Sequence, residues 1–193
     1  MSLCDGALAA THLPLLIAEN AAGSRVLQAH VARNNSEFAL LQDGSPVLAI
    51  FHGPHAYISP SWYPSKISTQ GKAVQTWNYV AVHVHGTLTT HTDPAWLLEH
   101  LRCQTERYEH NRPDPWSITD APSDYIEMML KNIVGLEITA QRIEGKEKLS
   151  QNRSAADQQG VIESLRDTKD SVFQTALNSE VARRMVEKRS TCL

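Results

Sequence analysis

Cysteine is scarce in this 193-residue chain, and Cys4, Cys103 and Cys192 are odd in number and far apart. No pair has metal-ligand or redox spacing, so a disulfide framework and a thiolate zinc site are both excluded. A reducing, cytoplasmic setting is the simplest expectation. Long apolar runs are missing too, and none approaches the roughly 18 residues that span a bilayer, so no membrane partner is expected. The opening MSLCDGALAATHL lacks a basic segment followed by an apolar core, and no secretory signal is read there. Positive charge is not in excess. Lys and Arg number 18 against 21 Asp and Glu, a net charge of −3, which argues against a surface built to neutralise many phosphates. Also absent are a Walker loop, a G-x-G-x-x-G turn, a glycine-flanked nucleophile elbow and a helix-turn-helix signature.

What is present reads mostly as strands. LPLLIA (13–18), RVLQAHV (25–31), PVLAIF (46–51), HAYISPSWY (55–63) and WNYVAVHVHGTLTTH (77–91) are β-branched or aromatic runs. Turn signals separate them at Asn20–Gly23, Asp43–Pro46 and Gln70–Lys72. Within the longest run, Val80, Val82 and Val84 share one face, while Ala81, His83 and His85 share the other. Strands at this spacing predict a closed or nearly closed antiparallel barrel. Thr92-Asp93-Pro94 caps a helix through AWLLEHLRCQTERYE, and a second helix starts at Ser123. GLEITAQRI (135–143) reads as the last barrel strand. Two helices follow from Ser154, split near Asp167–Lys169, the second carrying an apolar stripe from Val172 and Phe173 to Val181 and Met185. The fold class is therefore mainly β with flanking helices (α+β), as a single domain over 1–193 that includes a C-terminal helical segment, 154–189.

The block FHGPHAYISPSWYPSK (51–66) and the run VQTWNYVAVHVHG (74–86) concentrate rings and ring nitrogens. A metal site would need three or four converging donors, which His52, His55, His83 and His85 supply only if their strands are neighbours, and no carboxylate lies close in sequence. A packed aromatic core is the second reading. The third is a slot for a flat cofactor carrying a phosphate, which needs cations and N–H donors beside an apolar wall. HVARNN offers His30, Arg33 and Asn34 at a strand end, SWYPSK offers Trp62 and Lys66, and KLSQNR offers Lys148, Gln151 and Asn152. Each of these alone is also the composition of a solvated turn or a core ring.

ATHLPLL (10–16), HVARNN, VLAIFHGPHAYISPSWYPSK (47–66), TWNYVAVHVHG (76–86), PWSITDAPSDYIEMMLKNIVGLEI (115–138) and RIEGKEKLSQNRSAADQQGVI (142–162) closely resemble the PaiB family of FMN-binding negative transcriptional regulators. The likeness runs from about Ala10 to about Val186, with a shorter segment before ATHLPLL than the family carries. The resemblance implies an FMN-binding split barrel, related to pyridoxamine phosphate oxidases and flavin reductases, that forms a homodimer with FMN at the subunit interface. It places Thr11, His12 and Leu13 along the flavin ring and His30, Arg33 and Asn34 at the phosphate. By position, Lys148, Gln151 and Asn152 come from the partner chain. Trp62, Lys66, Trp77 and Asn78 belong to the family motifs and are expected beside the cofactor, whose occupancy turns on the shortened N-terminus. Three functions follow in order: a flavin-binding regulator, a flavin-dependent oxidoreductase, and a metal-binding barrel. No general acid or base can be placed, so an enzyme is the alternative. The lone basic cluster, Arg183, Arg184, Lys188 and Arg189, makes direct DNA binding doubtful.

Overall fold

Alternating side chains on the runs above make strands because successive Cβ atoms point to opposite faces of the pleat. The computed structural model describes residues 1–4, 7–20, 22–35, 42–167 and 175–190. Among them lie β1 (Ser2–Cys4), β2 (Ala7–Ala9), β3 (Leu16–Glu19), β4 (Arg25–Ala32), β5 (Pro46–Ile58), β6 (Thr76–His91) and β7 (Ile133–Lys148). The strands hydrogen-bond in the order β2-β1-β5-β6-β7-β4-β3. Pairing is antiparallel between β1 and β2, β1 and β5, β3 and β4, and β4 and β7. The helices are α1 (Ser65–Ser68), α2 (Pro94–Glu109), α3 (Ser123–Leu130), α4 (Ala155–Arg166) and α5 (Thr175–Ser190). The mainly β, helix-flanked class read from the sequence is the one observed.

Several boundaries differ from expectation, each for a local reason. The strand expected over 13–18 begins only at Leu16, since Pro14 has no N–H to give a ladder. The runs 46–51 and 55–63 join into one strand that crosses His52-Gly53-Pro54, and the chain then tightens into a short turn of helix at Pro60–Trp62. The last strand starts at Ile133 and continues to Lys148, longer at both ends than 135–143. β1 and β2, three residues each, are too short to carry a readable alternation. The α4 helix ends at Arg166 with Asp167 as its cap. Lys169 beyond it, and Val172 and Phe173 of the predicted stripe, lie outside the described residues.

The chain divides into two compact units, Met1–Ala49 with Val84–Ile143, and Ile50–His83 with Glu144–Leu193. In the first, β4 pairs with β7 from Val26↔Thr139 to Ala32↔Ile133. Its core gathers Ala29, Val31, Leu88, Val134 and Leu136, with Leu13, Leu15, Val47 and Ile138 against them. Asp93 caps α2 by accepting from the Trp96 N–H at 3.0 Å, and Pro94 occupies the first turn where its missing N–H costs nothing. Trp96 then lies where a side chain on residue 135 would stand: a Cβ on Gly135 would come within 2.1 Å of the indole. In the second unit α4 and α5 pack on the strand ends. Ile58, Tyr63, Val161, Ile162, Leu165, Val181 and Met185 form its core. Each such side chain contributes about 1.5–3 kcal/mol by leaving water.

Candidate functional site

The second unit holds a cleft of about 840 Å³. Alternation on β6 sends Trp77, Tyr79 and His83 to its wall, and β5 adds His52 and His55. The His55 imidazole stacks on the Trp77 indole, with centroids 5.7 Å apart and planes 25° from parallel, and Tyr57 meets the same indole edge-on at 6.2 Å. Trp77 and Tyr57 keep 46% and 47% of their surface exposed, so these rings are open to a ligand rather than spent on a core. β7 closes the cleft with Glu144, Gly145 and Lys146. Gly53 lets the two strands approach closely, and Gly145 adds no side chain to the wall. A Cβ on Gly53 would stand 3.0 Å from that of Val80, and one on Gly145 would meet nothing within 4 Å. The Nδ1 of His55 is buried without a hydrogen-bond partner among the described residues. Lys146 is the one lysine or arginine among the described lining residues.

Behind the cleft, the opposite face of β6 is anchored. Asn78 is fully buried. Its Oδ1 accepts from Ser150 Oγ at 3.0 Å, and its Nδ2 donates to the Met185 thioether at 3.6 Å. Ser150 has a φ of +62°, a left-handed conformation that costs an L-residue about 1–2 kcal/mol. Lys148 Nζ donates to Thr76 Oγ1 at 2.6 Å. Gln151 is consumed locally, accepting from Leu149 N at 2.8 Å and donating to Glu147 O at 2.7 Å. Trp62 packs against the helical core, while Lys66 and Asn152 are exposed. The ring-rich block is clasped to α4 by Asp157, which accepts from Ser65 N at 3.0 Å and Ser65 Oγ at 2.8 Å. Burial works against the Asp157 charge, but these donors outweigh it and its pKa falls.

In the first unit the expected residues take other partners. His30 Nδ1 lies 3.2 Å from His100 Nε2. His100 in turn stacks on Trp96 at 5.4 Å, and Trp96 on His91 at 4.0 Å. Burial lowers the pKa of His30, and burial followed by the charge of His30 lowers that of His100 to about 4. Arg33 donates from Nε to Lys131 O at 3.0 Å and from Nη2 to Ile133 O at 3.2 Å. Thr11 and His12 are exposed outside regular structure, Leu13 packs on the core, and Asn34 is exposed. Of the residues expected beside the cofactor, Trp77 lines this cleft; His55, Tyr79 and Lys146 line it as well and were not among them, although His55 lies in the ring-rich block. Among the described residues no group of three or more His, Cys, Asp or Glu is placed to hold a metal ion. No described helix is long and apolar enough to cross a membrane.

Residues 1–142 match the family described as "Putative FMN-binding domain". The protease synthase and sporulation protein PAI 2 of Bacillus subtilis is 37% identical over 158 residues, 82% of this chain and 72% of that protein. An uncharacterised protein of Aspergillus fumigatus is 37% identical over 152 residues, 71% of this chain. The chain spans 58% of that fungal relative's length. Among solved structures, the FAD and heme binding protein of Mycobacterium smegmatis aligns with a TM-score of 0.51 at 13% identity, over 81% of this chain and 67% of that one, a likeness of fold. The fold is that of a split barrel, and the chain belongs to the FMN-binding domain family, with a PaiB-like relative in Bacillus.

Proposed function

We propose that this protein binds FMN and acts as a negative transcriptional regulator of the PaiB type. The observation that carries the reading is the ring-walled cleft in a chain of this family. An isoalloxazine is flat, with apolar faces and a polar edge, and calls for rings beside it and a few polar groups at its rim. Trp77 and Tyr79 supply rings, His52, His55 and His83 supply polar rim atoms, and Lys146 supplies a cation. Lys66 and Lys148, in the same unit as the cleft, are proposed cationic contacts for the phosphate. Bound FMN would bring one- and two-electron redox chemistry, while the chain provides the binding surface. The Bacillus relative is named for a cellular outcome, sporulation, which favours a regulator over an oxidoreductase.

The exposed Trp77 and Tyr57 favour a homodimer, because a second copy covers an open aromatic surface with one self-complementary contact. Light scattering at micromolar protein is expected to give a dimer. The visible spectrum of the purified protein and a fluorescence titration with FMN test the cofactor. Flavin bands, or saturable quenching with riboflavin binding more weakly, are expected. Protein without flavin bands that also leaves FMN fluorescence unchanged overturns the reading.

A further inference from the structure

We propose that Asn78 is a positioning residue for this cleft, acting through Ser150 rather than by touching the ligand. The inference deepens the flavin reading above and uses that cleft. Asn78 lies between Trp77 and Tyr79 on β6, yet it faces the other way and is fully buried. Both ends of its amide are engaged, one by Ser150 and one by Met185. With the side chain fully buried, the amide is not open to a ligand.

Ser150 sits just past the end of β7, four residues beyond Lys146 of the cleft wall. Its left-handed backbone is one that an unsupported serine seldom holds. The buried bond from Ser150 Oγ to Asn78 offsets that cost, and the turn closes as Arg153 N donates to Ser150 O at 3.0 Å. Lys148 adds a second tie to β6 through Thr76. The end of β7 is thereby pinned to the stretch of β6 that carries Trp77 and Tyr79. Asn78 sets where Lys146 stands relative to those rings.

Two substitutions of one residue test this. Ser150→Ala and Ser150→Gly both delete the hydroxyl, but only glycine adopts the left-handed backbone freely. If the tether exists to hold that backbone, Ser150→Ala weakens FMN binding about five- to thirtyfold and Ser150→Gly leaves it within about threefold of the parent. Asn78→Leu weakens FMN binding likewise, and adding Ser150→Gly restores most of the affinity. A direct ligand contact by Asn78 predicts no such rescue. Thermal melts confirm that each variant is folded, and if Asn78→Leu does not fold, the Ser150 pair alone decides. Equal affinities for Ser150→Ala and Ser150→Gly, or a folded double variant without rescue, overturn the proposal. Should the parent bind no flavin, the functional reading fails by itself. Hydrogen exchange at residues 146–151 then judges the tether: faster exchange in Ser150→Ala than in Ser150→Gly upholds it, and equal exchange overturns it.

Discussion

His100 shows how a single buried group couples the fold to pH. It is 2% exposed and shares a hydrogen bond with His30, so a second proton on the pair would set two buried charges side by side. Its folded pKa is about 4 against 6.5 for a free histidine. The unfolded chain therefore takes up a proton as pH drops through 6.5, while the folded chain resists until about 4. Stability from this group is intact above pH 6.5 and is lost as pH falls through that window. The full loss is about 3 kcal/mol, and His30, lowered in the same direction, adds to it. Urea unfolding between pH 7.5 and 4 is expected to show a falling midpoint, flattened in His100→Asn. A pH-independent midpoint counts against the burial of this pair. Trp77 makes a different kind of prediction. Its indole is half-exposed and stacked by His55, so Trp77→Leu removes a ring from the cleft with little loss of core. FMN affinity is expected to fall roughly tenfold or more, the scale of one aromatic stacking partner, with the melting temperature nearly unchanged.

Among the elements, β5 carries the most information about the site. Its Gly53-Pro54 reads as a strand break, yet the strand passes through it. Gly53 allows close approach to Val80 on β6, and Pro54 sacrifices at most one ladder bond. Gly53→Ala places a Cβ 3.0 Å from the Val80 Cβ and 3.1 Å from its carbonyl oxygen. That overpacking is expected to cost about 1–3 kcal/mol in a thermal or urea melt, and to weaken FMN binding because Gly53 lines the cleft. A melt like the parent's would show that the strands part there at no cost. The same element marks what the sequence could and could not reveal. β4 and β6 were legible because alternation is local, and Asp93-Pro94 announced α2 for the same reason. His55 was visible only as part of a ring-rich block, its alternatives a metal ligand or a polar sheet face. Lys146 was not visible at all. It reaches the cleft because β7, which begins at Ile133, pairs with β6, which ends at His91, and no local pattern encodes such a pairing. The pairing of His30 was hidden for the same reason: its partner His100 lies 70 residues away.

At the scale of the whole molecule the question is how a chain of net charge −3 would act on transcription. Its basic cluster lies on α5, and three of its four members, Arg183, Arg184 and Lys188, are paired with carboxylates. Arg183 pairs with Glu180 and Glu187, Arg184 with Glu180 at 3.4 Å and Glu147 at 3.6 Å, and Lys188 with Glu147 at 3.1 Å. Three cations thus face three carboxylates. Exposed pairs of this kind stabilise by about 0–1 kcal/mol each, so a phosphate could displace them cheaply. The carboxylates would remain, however, and repel the same phosphate. Direct DNA binding is therefore expected to be sequence-independent, with a Kd near or above about 10⁻⁴ M at physiological salt. Replacing Glu147, Glu180 and Glu187 together by Gln frees the three cations. That variant is expected to bind duplex DNA more tightly at low salt and to lose affinity more steeply as salt rises, since more counterions are released. Fluorescence anisotropy with two unrelated duplexes over a salt series measures both quantities. Tight, sequence-selective binding by the parent chain would place a DNA-reading surface outside this cluster. A weak, salt-dependent result would leave any regulatory role of this chain to an indirect route.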